Sequence, residues 1–192
     1  MRIPVMEKQQ VHTENADQRA IAEAVKNPQA FELLYKKYHE RVFRFIYLRL
    51  DDPDVAADIT SDVFVKAMLA LPKYKYKGYS FSTWLFRIAS NAMVDYFRAN
   101  AKMRTVNIDD VSVSSISDEI GREFAADAER LIPLCLAELP EQDLMVIELR
   151  FFENKSFREI GDITGITEAN AKVRTYRVLD KLRKIISKHI ES

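Results

Sequence analysis

Residues 156–188 constrain this chain more than any other stretch. Ser156-Phe157-Arg158-Glu159 is a capping box, in which the serine and the glutamate satisfy each other's free backbone amides at the start of a helix. Gly165 breaks that helix after about two turns, and Thr167 caps a second, longer one running to about Lys188. A short capped helix, a turn at Gly165-Ile166 and a long helix make a helix-turn-helix. Along the second helix, Asn170, Arg174, Arg177, Lys181, Lys184 and Lys188 fall at steps that place them on one stripe. Ala171, Val178, Leu182 and Ile185 form another stripe, roughly a third of a turn away, expected to face the core. One apolar and one cationic face is what insertion into a DNA major groove requires, with the N-terminal residues of the helix against base edges. A solvated basic face on a terminal helix carries the same charges, but the capped helix and turn in front of it favour groove reading.

The rest of the chain also reads as helix. Four glycines and six prolines leave little room for turn-rich β architecture. After a loose leader over residues 1–16, a helix is expected from about Asp17 to Lys26. Phe31, Leu34, Tyr38, Val42 and Phe45 recur at steps of three and four, the buried face of a second helix. Asp52-Pro53-Asp54 starts a third, which runs to about Leu71 and stops at Pro72. A fourth carries Phe81, Trp84, Leu85, Ile88 and Ala92 on one face and continues toward Arg104. Residues 105–118 have no periodicity and read as a linker. Leu139-Pro140-Glu141-Gln142-Asp143 starts another helix, with its proline early and acids in its first turn. The expected fold is all-α, two small helical domains joined by a flexible acidic linker, the second containing the helix-turn-helix. The boundaries are 1–26 for the leader and short helix, 27–104 for the first domain, 105–125 for the linker and 126–192 for the second domain.

Charge follows this division. Residues 27–104 hold 13 Lys/Arg against 8 Asp/Glu, and residues 105–130 hold 2 against 7, so a formal net charge of zero hides a basic domain and an acidic connector. No apolar run approaches the ~20 residues of a membrane span, and Met1–Val5 lacks the core of a signal peptide, so a cytoplasmic protein without membrane insertion is expected. Cys135 is the single cysteine and sits in an apolar stretch, which suits an inert buried thiol. His12, His39 and His189 are scattered without metal spacing, and no glycine-rich phosphate loop or nucleophile elbow is present. Neither an enzyme nor a bound metal or cofactor is expected. Asp58 and Asp62 share a helix face, but such exposed pairs are usually only solvated.

Lys73-Tyr74-Lys75-Tyr76-Lys77-Gly78-Tyr79-Ser80 alternates cations with aromatics. Aromatic faces stack on unpaired bases while lysines track the backbone, so the loop suits single-stranded nucleic acid. Tyr74, Lys75, Tyr76 and Lys77 are candidates, with Arg87, Asn91, Arg98 and Lys102 on the adjoining helix. The competing reading is a surface loop whose tyrosines lie over a core edge. Trp84 shares a face with Phe81, Leu85 and Ile88 and is expected to be core.

These residues resemble a family. Phe81–Asn91, with Asp95 and Arg98, looks like the promoter-melting helix of extracytoplasmic-function sigma factors, F-x-x-W-L-x-x-I-A-x-N-x-x-x-D-x-x-R. Ala56–Phe64 resembles their A-E-D-L-x-Q-E-x-F helix, which binds the clamp helices of RNA polymerase. Leu139-Pro140-Glu141, Glu148-Leu149-Arg150, Ser156–Ile160, Gly165–Thr167 and Lys172-Val173-Arg174 with Arg177 resemble their promoter-distal DNA-binding region. The resemblance covers most of residues 28–187. It implies that Asp58, Ile59, Ser61, Asp62 and Phe64 bind core polymerase, and that the 74–80 loop, Ser80 included, holds melted minus-ten DNA near Asn91. It implies that Arg158, Thr167, Asn170, Lys172, Arg174, Arg177 and Lys181 meet the minus-thirty-five duplex, with arginine–guanine pairing the expected specific contact. Its partners would be core RNA polymerase (clamp helices and flap), promoter DNA and an anti-sigma factor. The chain departs from the pattern at Ala57, usually an acid, and at Ser61, usually glutamine. Asn154-Lys155 replaces Gly-Leu, and Val173 stands where serine is common.

Two other readings remain open on residues alone. A stand-alone helix-turn-helix regulator would bind duplex without polymerase, usually as a dimer on a palindrome. A hydrolase or nuclease would need a catalytic constellation that the chain does not display.

Overall fold

The computed structural model describes residues 5–50, 52–100, 116–120 and 125–190, with side chains over 16–50, 52–100, 116–120 and 130–188. Among them there is no strand. The chain divides into two compact units, residues 1–46 with 54–98, and residues 47–53 with 99–192.

The first unit holds four helices, α1 (Val5–Lys26), α2 (Phe31–Tyr47), α3 (Pro53–Ala70) and α4 (Phe81–Asn100). Helix α1 begins well before the Asp17 expected from sequence and covers most of the supposed leader. Its register is fixed at Asp17, which is buried. The carboxylate accepts from the Tyr38 hydroxyl and from Lys37 Nζ, both at 2.5 Å. Burial, and then the hydrogen bond to Asp17, drive the Tyr38 phenol far above its ordinary range, so it stays a protonated donor. Phe31, Leu34, Tyr38, Val42 and Phe45 are all buried, as their spacing predicts, and Asp54 lies in the first turn of α3 behind Pro53. Helix α3 ends before Pro72, where a short 3-10 turn, Leu71–Lys73, takes over.

The second unit contains α5 (Ala125–Ala137), α6 (Glu141–Ile147), a π-helical stretch (Glu148–Phe152), α7 (Phe157–Thr164) and α8 (Glu168–Ile190). Its core joins Leu131, Ile132 and Leu136 of α5 to Leu144 and Ile147 of α6 and to Val178, Leu182 and Ile186 of α8. Residues 116–120, assigned to the linker by sequence, form a helical turn whose Ile116 and Ile120 are fully buried in that core. Arg183 of α8 closes its end, donating to the carbonyls of Glu119 (2.6 Å) and Ile120 (2.9 Å). Two isoleucines four apart were the signal for this turn; the surrounding Ser and Asp residues masked it. The remainder of the expected linker before it, residues 105–115, lies outside the described residues. Arg49, from the 47–53 stretch, is fully buried against Glu148 and has its Nε 2.9 Å from Glu141 Oε1, the charge pairing that a buried guanidinium requires.

Candidate nucleic-acid interface

The helix-turn-helix is built as its caps dictate. Ser156 Oγ accepts from Glu159 N at 3.2 Å, and the Glu159 carboxylate accepts from Ser156 N at 3.0 Å. Gly165 ends α7 at φ +74°, a left-handed conformation natural to glycine. Thr167 Oγ1 then accepts from Asn170 N at 3.2 Å, satisfying a free amide of α8. A second glycine matters for a different reason. A Cβ on Gly161 would stand 2.7 Å from Ile166 O and 3.3 Å from Glu168 N, so α7 and the start of α8 approach as closely as a bare Cα permits. Just upstream, Asn154 takes φ +50°, left-handed backbone that suits the glycine usual in this pattern and that asparagine tolerates better than most residues with a side chain.

Along α8 the buried residues are Ala171, Thr175, Val178, Leu179, Leu182 and Ile186. Ile185, expected in the core stripe, is only half-buried: it packs against the core from the edge of the buried face, whose centre is shifted toward Thr175, Leu179 and Ile186. Asn170, Lys172, Arg177, Lys181, Lys184 and Lys188 are exposed; so are Arg158 on α7 and Thr167. Arg174 is not. Its side chain is only 27% exposed, with Nε 3.5 Å from Asp143 Oδ1 and Nη1 donating to Gln142 Oε1 at 2.9 Å. Arg177 Nη2 donates to the same Asp143 oxygen at 3.3 Å. The outward face also carries two apolar side chains that a search for charge overlooks, Val173 (67% exposed) and Tyr176 (47%).

In the first unit, the loop after α3 separates into two kinds of tyrosine. Tyr74 is half-buried, its ring centroid 5.8 Å from Phe81 and 5.0 Å from Trp84, so it lies over a core edge. Tyr76 is exposed and flanked by exposed Lys75 and Lys77. Gly78 turns the chain at φ +79°. Ser80 bonds its hydroxyl to those of Ser82 (2.8 Å) and Thr83 (3.0 Å) at the start of α4. Arg87, Asn91 and Arg98 are exposed along one side of α4, at steps of four and seven; Asp95 lies 3.8 Å from Arg98. Lys102 lies outside the described residues. Trp84 is half-buried rather than core, its ring against Tyr74 and Phe81, while Leu85 and Phe86 are fully buried.

On α3, Asp58, Ser61 and Asp62 are exposed and Ile59 is half-buried. Phe64 is 3% exposed and packs edge-on to Tyr35 at 4.8 Å, so it supports the helix from within rather than presenting a surface. The exposed stripe instead continues through Val65, Met68 and Leu69, the last 72% exposed. Large apolar residues spaced three and four beyond the two acids were the legible signal for it.

Residues 34–103 match Sigma-70 region 2, and residues 135–184 match Sigma-70 region 4. The chain belongs to the extracytoplasmic-function sigma factors. Among curated relatives, it is 27% identical over 166 residues to the extracytoplasmic-function RNA polymerase sigma factor BldN of Streptomyces coelicolor, spanning 82% of this chain and 60% of that one. It is 24% identical over 158 residues to SigM of Bacillus subtilis, spanning 82% of this chain and 95% of that one. Its fold is that of CnrH, solved in complex with the cytosolic domain of CnrY, with a TM-score of 0.62 at 22% identity over 90% of this chain and 98% of that one. The sigma factor's region 2 therefore comprises α3, the 74–80 loop and α4 with most of α2, and its region 4 comprises the helix-turn-helix with α6 and the end of α5. A stand-alone regulator is not favoured, since region 2 and region 4 occur together and in order.

Proposed function

We propose that this sigma factor acts by binding alone, without catalysis or cofactor, and brings core RNA polymerase in the cytoplasm to promoters with two elements. The exposed side of α3, with Asp58, Ser61 and Asp62 followed by Val65 and Leu69, meets the polymerase clamp helices; region 4 meets the flap and the minus-thirty-five duplex. Tyr76, Lys75 and Lys77 hold melted minus-ten bases, with Arg87, Asn91, Arg98 and Lys102 following the strand. Tyr74 and Ser80 shape that loop from its base. At the distal element, Asn170, Lys172, Arg177 and Lys181 lead, Arg158 and Thr167 flank them, and Arg174 contributes from a partly covered position. The observation that carries this reading is the capped helix-turn-helix of region 4 with its exposed cationic face, in one chain with an exposed lysine–tyrosine loop against α4.

An anti-sigma factor is the third partner we propose. CnrH, which shares this fold, is solved with a protein partner, the cytosolic domain of CnrY. Transcription in vitro from a library of random promoters, with core polymerase and with or without the protein, tests the central reading. Start sites that require the protein and share two short motifs at a fixed spacing support it. Duplex binding as a dimer, with no such starts, refutes it.

A further inference from the structure

Asp143 occupies an unusual place for a carboxylate in a DNA-binding region. It stands in the first turn of α6, 13% exposed, and one of its oxygens faces both Arg174 (3.5 Å) and Arg177 (3.3 Å). Its neighbour Gln142 accepts from Arg174 Nη1 at 2.9 Å. The two arginines are three apart on α8, and both point back to the same turn of α6. A guanidinium has five N–H donors in a rigid fork. Arg174 commits Nη1 to Gln142 and holds Nε at ion-pair distance from Asp143, and Arg177 commits Nη2, so each retains donors of fixed direction. An arginine already ordered loses less freedom when it meets a base edge than one that must be ordered on contact. The carboxylate also offsets part of the positive charge of the pair, which weakens attraction to any phosphate regardless of sequence.

We propose that Asp143 is a positioning residue for promoter reading: with Gln142 it fixes the guanidinium groups of Arg174 and Arg177 in one orientation and restrains their sequence-independent grip on the DNA backbone. This rests on the reading of α8 as the distal-element helix. Asp143 itself touches no base; it decides how selectively its two arginines do.

The test uses full-length protein reconstituted with core polymerase and a template library with a randomised distal element, read by sequencing the transcripts. Wild-type protein, D143N, D143A and D143E are compared, with R177A as reference. D143A should reduce the preference at the bases read by the two arginines roughly five- to tenfold, while transcription from poor distal sequences rises. Its activity should also fall more steeply with salt than that of the wild type, because two guanidinium groups are released toward phosphate. D143N, of the same size, should lose preference in the same direction, and D143E should restore most of it. A merely structural carboxylate would lower yield on all templates alike, with D143N and D143A retaining the wild-type preferences; that result overturns the proposal. If R177A abolishes the distal preference while D143A leaves it intact, positioning is refuted and the reading of α8 stands. If wild-type protein shows no distal preference at all, the reading of α8 fails and the proposal falls with it.

Discussion

Replacing Gly161 by alanine tests the geometry of the helix-turn-helix at its tightest point. In an exposed helix the change would gain about 1 kcal/mol, because alanine is the better helix former. Here the new methyl would stand 2.7 Å from Ile166 O and 3.3 Å from both Thr167 C and Glu168 N. All three are backbone atoms at the turn and the start of α8, and none can rotate away. Either α7 or α8 must shift, which strains the hydrogen bond from Ile166 N to Gly161 O (3.0 Å) that closes the turn. Overpacking of this kind costs about 1–3 kcal/mol, and a weakened hydrogen bond about 1 more. The net expectation is a loss of about 1–3 kcal/mol in the second unit. Trp84 is the single tryptophan and lies in the first unit, so its fluorescence reports that unit while far-ultraviolet circular dichroism reports both. G161A should move the helical transition to lower denaturant and leave the Trp84 transition in place. Selectivity at the distal element should fall with it, because α8 is displaced relative to α7. G165A is the contrasting case. Its Cβ meets nothing within 4 Å, so its cost of about 1–2 kcal/mol is that of left-handed backbone alone, and G165N should recover part of it. If G161A is as stable as wild type or more stable, the close approach of α7 to α8 does not constrain the fold and the argument fails.

Four further outcomes follow from the same structure. Y76A should lose open-complex formation by the equivalent of about 1–3 kcal/mol of base stacking with the Trp84 transition unmoved, whereas Y74A should destabilise the first unit; a destabilised Y76A would reverse the assignment. N154G should be neutral or stabilising and N154A should cost about 1 kcal/mol in denaturant unfolding, since φ is +50° there. Val173 presents an apolar side chain where only the thymine methyl offers an apolar partner in the major groove, so replacing thymine by uracil within the distal element should weaken transcription at one position, and V173S should remove that sensitivity. Burial, with Glu138 adding to it, holds the Cys135 thiol above its ordinary 9.0. Its contribution to stability is therefore complete below that value and lost as pH rises above it, so wild type should weaken more than C135A as pH is raised above about 9 in denaturant unfolding.

Much of this fold is legible in the sequence because its signals are local. Capping at Ser156 and Thr167, the left-handed turn at Gly165 and the buried stripe of α2 each need only residues within about one helical turn of each other. What escapes is contact between residues far apart in the chain. Asp17 reads as helix exterior, and its burial follows from bonds to Lys37 and Tyr38, some twenty residues further along the chain. Ile116 and Ile120 look like linker until the core of the second unit covers them. Gly161 reads as an ordinary weak spot in a helix, whereas the backbone opposite makes it a requirement.

The candidate site shows the same limit in a more instructive form. Helical spacing places Arg174 and Arg177 near one face of α8, and both are there. Spacing cannot say which of them is covered, because that depends on α6, more than thirty residues away. Tyr74 and Tyr76 are chemically alike and two apart, a spacing that regular extended backbone would put on one side, yet one meets Phe81 and Trp84 and the other meets solvent. Composition identifies which side chains can touch DNA, and packing divides those that present themselves from those that orient their neighbours. In region 4 that division runs through Asp143. An acid beside a basic stripe would be discounted as a diluted charge, yet its position between two arginines makes it the residue by which selectivity and affinity can be varied separately.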